Sequence, residues 1–301
     1  MVGKILNLGI DLLAERFIGT SSEGAISQFK VGIGTTDPIS TDTDLEIAVP
    51  INDGTANDDG SNTLTGTSGG DNTTDNTSIF KEGAGQLDVT SQNLIANGSN
   101  ATKIWTISNL ASLGTNIDQT QFFGLWIFIK DSTALAKFKS SGTVLEIKLG
   151  SSAGNYFSLT KEASDLAVGF NWITSNTVAV EDLTETGTVA GNVDTFIIEI
   201  TTNNATDTFV AGDVIYDLLR TWETSDLIKN FETGFPAYDS STKEIQSRMI
   251  LTLSQANGFP LTEIAVRNSD GTSWTRDTYT SFSKSLTEEL RFSQKDRIRQ
   301  T

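Results

Sequence analysis

What most constrains this chain of 301 residues is a rhythm rather than a motif. Runs of β-branched and aromatic residues recur at short intervals: QLDVTS, KIWTISNL, FFGLWIFIK, TVLEIKLGS, YFSLTKE, FNWITSN, DTFIIEITTN and DVIYDLLRTW. They read as strands, because such side chains fit a pleated surface and the Gly, Asn and Asp between them accept turn conformations. In LEIKLG, Leu145, Ile147 and Leu149 alternate and share a face, whereas FGLWIFIK is apolar throughout and reads as buried on both sides. About eight short strands in succession predict a β-sandwich of jelly-roll type over residues 79–224. SDLAV and TALAKF are its short helical candidates.

Composition narrows the chemistry. There is no cysteine and no histidine, which removes disulfides, thiol nucleophiles, the usual zinc ligand set and the commonest general base. A net charge of -17 opposes a nucleic-acid phosphate backbone. No run of apolar residues is long enough for a membrane-spanning helix, so no membrane insertion is expected. Residues 1–18 lack a signal-peptide layout, interrupted as they are by Asn7, Asp11, Glu15 and Arg16, so synthesis in a cytoplasm is expected.

The flanks read differently. KILNLGIDLLAERF places Ile5, Leu8, Leu12 and Leu13 on one face, predicting an amphipathic N-terminal helix over residues 4–17 that Gly19 stops. Its acidic polar face favours packing within the protein over a lipid surface. A strand over residues 25–33 and the run LEIAVPI follow, and then residues 52–78 carry almost no apolar side chain. That stretch predicts a flexible linker. After a second shift of composition over Asn230 to Ser241 come EIQSRMILTLS, PLTEIAVRN, SWTRDTYTSF and EELRFSQ, expected as a meander with turns at Asn257-Gly258 and Asn268-Ser269-Asp270-Gly271. Four strands in a meander need a partner layer, and the N-terminal segment is the economical one. The expected fold is mainly β: a jelly-roll sandwich inserted into a smaller β-rich base domain, residues 1–51 and 225–301, with one N-terminal helix.

Both flanks resemble a pattern in virion proteins of tailed bacteriophages and related archaeal viruses. The N-terminal part is LGIDLLAERFIG, a strand, VGIGTT and then TDTDLE. The C-terminal part is LTLSQANGFPLTEIAVRNSDGTSWTRDTYTSFSKSLTEELRF, with Thr262-Glu263-Ile264, Asp270-Gly271, Arg276 and Phe282. Ala265-Val266-Arg267 departs from it by replacing a more apolar stretch. The resemblance implies a tail, neck or head-appendage component assembled as a symmetric homo-oligomer with other virion proteins. The middle part is similar in architecture to concanavalin-like jelly rolls inserted in appendage proteins. A structural virion protein is therefore the expected function, with a carbohydrate-binding adhesin for host surface glycans as the alternative.

Several groups bear on chemistry. Gly32-Ile33-Gly34 lacks the third glycine and the following helix of a dinucleotide fingerprint, and Pro38 favours a turn. Asp42, Asp44 and Glu46 alternate; they would line one strand face and bridge through Ca²⁺, or cap a helix. Glu146 is the best glycosidase candidate, without a nameable partner. Trp105, Trp126 and Trp172 read as core, and Trp222 and Trp274 as exposed or interface aromatics. Arg291, Lys295, Arg297 and Arg299 form a basic end, either a solvated tail or a docking contact with an acidic surface. No catalytic, cofactor or metal residue is assigned, and no enzyme is expected.

Overall fold

The computed structural model describes residues 4–5, 24–49, 55–58, 62–81, 90–110, 117–175, 178–223, 226–284 and 287–297. The chain divides into two compact units, Met1–Asp53 with Ser225–Thr301, and Gly54–Thr224.

The chain begins with β1 (Lys4–Ile5) and β2 (Ile26–Gly32). There follow β3 (Thr55–Asp58), β4 (Thr65–Thr67), β5 (Thr74–Asn76), β6 (Ser91–Asn93), β7 (Thr102–Ser108) and β8 (Phe122–Ile129). After the short helix α1 (Ser132–Leu135) come β9 (Thr143–Ser152), β10 (Asn155–Glu162), β11 (Gly169–Thr174), β12 (Thr184–Thr186), β13 (Thr195–Thr201) and β14 (Val214–Trp222). The last stretch holds β15 (Ile228–Asn230), β16 (Ala237–Asp239), β17 (Glu244–Leu251), β18 (Leu261–Asn268), β19 (Ser273–Phe282) and β20 (Leu290–Arg297). The fold is mainly β, as the periodicity predicts.

The unit of residues 54–224 is sandwich-like. One sheet runs β12-β10-β9-β13-β7-β4, the other β11-β8-β14-β6-β5 with β3 also on β14. Opposed residues share a face, so the register sets Leu145 against Ile200, Ile147 against Ile198 and Leu149 against Phe196. These side chains meet Phe123, Leu125, Ile127 and Tyr216 of the other sheet in one buried cluster. α1 is started by Asp131, whose carboxylate accepts the Ala134 N–H at 2.8 Å.

Three expectations change. Residues 52–78 are not a linker, because β3, β4 and β5 lie in this stretch and pair with β14, β7 and β6. Its described part needs few apolar residues because side chains complete the pairing. Thr73 Oγ1 accepts the Leu64 N–H at 2.8 Å and donates to Gln92 at 2.7 Å, while Leu64 is buried. The helix expected over residues 4–17 fails at Lys4–Ile5, which pair with β19 as a strand; its remainder lies outside the described residues. The C-terminal strands form no meander. β18 and β19 are a hairpin within the sheet β1-β19-β18-β2-β15, while β17 leaves that hairpin aside and pairs with β20 in the sheet β16-β17-β20. The register shows why: the turn at Asn268 to Gly271, with φ +103° at Gly271, closes β18 on β19, and β2 occupies the far edge of β18.

The two sheets of this unit meet through Phe292, whose ring lies 5.9 Å from those of Tyr279 and Phe282. Gln294 Nε2 donates to Thr275 Oγ1 at 2.9 Å and to Asp296 Oδ1 at 3.1 Å. Burial pushes the Asp277 carboxyl above its ordinary value, and the nearby Asp296 charge pushes the same way against the Thr278 N–H. Burial raises Asp296 too, against its bond from Gln294. A raised acid holds its proton more tightly when folded. Stability is therefore gained as pH falls through the folded pKa, and the gain ends below the unfolded value near 3.8. Asp277→Asn is expected to raise the melting temperature at pH 7 and to shrink the wild-type gain on acidification toward pH 4; calorimetry at both pH values checks it.

Candidate functional site

The GIG loop gathers the residues singled out in both flanks. Glu263 on β18 is fully buried. Its carboxylate accepts the Gly34 N–H at 2.9 Å, the Ile47 N–H at 2.8 Å and the Glu46 N–H at 3.0 Å. Arg276 on β19 donates through Nε to Glu263 at 3.0 Å, through Nη1 to Asp42 at 2.6 Å and through Nη2 to the Thr36 carbonyl at 3.1 Å. Glu46 in turn accepts the N–H groups of Thr35 and Thr36 at 3.0 and 2.9 Å.

This arrangement explains the two glycines. A Cβ on Gly32 would stand 2.5 Å from Glu263 Oε1, and one on Gly34 2.6 Å from it. The glycines admit a carboxylate at close range. The backbone N–H groups that a phosphate loop would offer a ligand are occupied here by the chain's own anion.

Electrostatics follow the geometry. The Thr36 N–H, followed by its side chain, the Thr35 N–H and Arg276, holds Glu46 below the ordinary carboxylate value against burial. Burial disfavours the Arg276 charge, yet the bonds to Asp42 and Glu263 outweigh it and raise its pKa. Asp42, Asp44 and Glu46 are not on a strand face and do not cap a helix. They lie in irregular backbone and divide between two cations: Asp42 and Glu46 both meet Arg276, at 2.6 and 3.6 Å, with Asp42 also accepting the Ile39 N–H, whereas Asp44 meets Lys30 at 2.5 Å. Asp226 also reaches Lys30, at 2.6 Å. Among the described residues, no group of three or more acidic side chains is arranged to hold a metal ion.

Glu146 has a partner that the sequence did not name. Glu199 on β13 stands directly opposite it, and Lys148 Nζ lies 2.6 Å from Glu199 and 3.4 Å from Glu146. The Tyr156 ring lies 4.9 Å from the same ammonium. Burial works against the Lys148 charge, but the Glu199 hydrogen bond and the attraction of both carboxylates raise its pKa. The two carboxylates thus share one cation across the strands. The ammonium offsets one of the two negative charges that face each other on the sheet.

The tryptophans divide differently from the expectation. Trp105 lies in the core between the sheets, with Nε1 donating to the Ile95 carbonyl at 3.1 Å. Trp126 and Trp172 oppose each other on β8 and β11, with ring centroids 5.0 Å apart, on the face turned away from Leu125 and Ile127. Trp222 stacks on Trp172 at 6.3 Å and Phe170 meets Trp126 edge-on at 5.8 Å. Lys81 Nζ lies 4.9 Å from Trp126 and 4.6 Å from Phe170. Trp222 and Trp274, expected as exposed or interface aromatics, are buried within the chain, because strand neighbours and not sequence neighbours surround them.

Of the basic end, Arg291 pairs with Glu232 at 3.0 Å and Lys295 with Glu244 at 3.9 Å. The Arg297 side chain and Arg299 lie outside the described residues. No protein-family model and no curated protein matches this sequence.

Proposed function

We propose that the chain is a non-enzymatic structural component of a tailed-virus particle, an oligomeric appendage of the tail, neck or capsid. Residues 1–53 and 225–301 act as the base that anchors it to other virion proteins, and residues 54–224, as an inserted jelly roll, project outward. It is made in the host cytoplasm and works in the particle.

One observation carries this reading. Gly34, Thr35, Thr36, Asp42, Glu46, Glu263 and Arg276 come from the two flanking stretches that resemble virion proteins, and they form one network. Its groups bind the chain to itself, which is a scaffold's use of them. Antibody against the whole chain should label purified particles in electron micrographs. Particles without label, from a culture that makes the protein, would overturn the reading.

Host attachment through carbohydrate is the second reading, favoured by the polar row of Glu146, Lys148 and Glu199 beside Tyr156. A glycan array probed with the full chain separates the two: saturable sugar binding favours the adhesin, and none at millimolar ligand favours the purely structural role.

A further inference from the structure

Two buried side chains meet at the open end of the β18–β19 hairpin. Asn257 lies in the connection before β18, and Lys284 follows β19. Their backbones form a bridge, with the Gly258 N–H donating to the Lys284 carbonyl at 2.9 Å. Asn257 is fully buried and Lys284 is 3% exposed. Lys284 Nζ donates to Asn257 Oδ1 at 2.6 Å and to the Leu253 carbonyl at 3.2 Å. Asn257 Nδ2 donates to the same carbonyl at 2.7 Å, which fixes the orientation of the amide.

Other buried lysines have different neighbours. Lys30 meets the carboxylates of Asp44 and Asp226, and Lys103 the backbone carbonyls of Gly98 and Ala205. An ionised carboxylate resists attack by an amine, and attack on a backbone carbonyl would cut the chain. A side-chain amide has neither obstacle, because its nitrogen can leave as ammonia. An amine 2.6 Å from Oδ1 stands within about 3.8 Å of Cγ, since a C=O bond is about 1.23 Å long. Burial holds both groups in place, and held reactants react far faster than free ones. Attack on Cγ by the Gly258 nitrogen, the usual fate of an Asn-Gly pair, is opposed by the bond from that N–H to Lys284.

We propose that Lys284 and Asn257 join in an intramolecular isopeptide bond. Nζ bonds to Cγ and the Cγ–Nδ2 bond breaks. The lysine ammonium gives up two protons and the departing nitrogen takes up two, leaving as ammonium, so no oxidant or reductant is needed. Glu288 and Glu289 line the cavity of about 400 Å³ that Lys284 also lines, and they relay these protons. The bond links positions 27 apart in a chain that has no cysteine. Like a disulfide, it restricts the unfolded chain, and it clamps the hairpin that carries Glu263 and Arg276. This inference goes beyond the function proposed above and does not depend on it.

Intact-mass spectrometry of the folded full-length chain, followed by tryptic peptide mapping, tests the proposal. The expected mass is below that of the sequence by one ammonia, with a branched peptide joining the segment of Asn257 to that of Lys284. Lys284→Arg, which keeps the cation, should restore the full mass. Glu288→Gln combined with Glu289→Gln should accumulate the linkage more slowly after refolding. Full sequence mass after days of incubation, with Asn257 and Lys284 in separate linear peptides, would overturn the proposal. So would an ammonia loss that persists unchanged in Lys284→Arg, which would belong to a cyclised Asn-Gly pair.

Discussion

Glu263→Ala is expected to destabilise the unit of residues 1–53 and 225–301 by about 3–5 kcal/mol, the usual cost of removing one partner from a buried ion pair. The substitution strips the acceptor from the Gly34, Glu46 and Ile47 N–H groups and from Arg276 Nε together. Arg276 keeps Asp42, but its guanidinium stays buried with less charge to balance it. The loss should be local. In hydrogen exchange on the full chain, amides of residues 33–47 and of β18 and β19 should lose protection first. The protection of β9 and β13 should hold. Little change at the GIG loop would show that the turn holds itself without the carboxylate.

Trp105→Ala is the complementary case, expected to cost the unit of residues 54–224 about 3–5 kcal/mol. Trp105 is fully buried among Leu64, Ile198 and the facing sheet, so truncation leaves a large cavity and also frees the Ile95 carbonyl. Urea unfolding of the full chain, followed by circular dichroism and by hydrogen exchange, checks it. Protection should fall in β7, β9 and β13 and not at Glu263. If both substitutions weakened both units alike, the division into two compact units would be wrong in energy terms.

These two residues show what was legible in the sequence and what was not. Alternation placed Leu145, Ile147 and Leu149 on the core face, and the unbroken apolar run placed FGLWIFIK at a doubly buried strand. Periodicity states which face a residue takes but not which strand lies beside it. Glu199 was therefore invisible as the partner of Glu146, and Glu263 as the partner of Gly34, 229 residues away. Trp126 is buried, as its apolar neighbours imply, and Trp172 is half-buried, but neither joins the cluster between the sheets. On a strand buried on both sides, alternate residues serve different layers, and theirs is the second. The polar stretch 62–78 misled for the opposite reason. Edge strands there are closed by hydroxyl and amide side chains, as at Thr73 with Gln92 and Asn76 with Asn93 at 3.0 Å. The glycine pair reads in the sequence as a turn, but the buried carboxylate that lies against its backbone is visible only in the structure.

The central claim is that this chain is a repeated part of a virus particle. Its most direct test is the chain's copy number in gradient-purified particles, measured by quantitative mass spectrometry against the major capsid protein. The account predicts several copies per particle, in a fixed ratio that survives high-salt washing. A stable monomer left in the soluble fraction, with no copies in the particles, would contradict it.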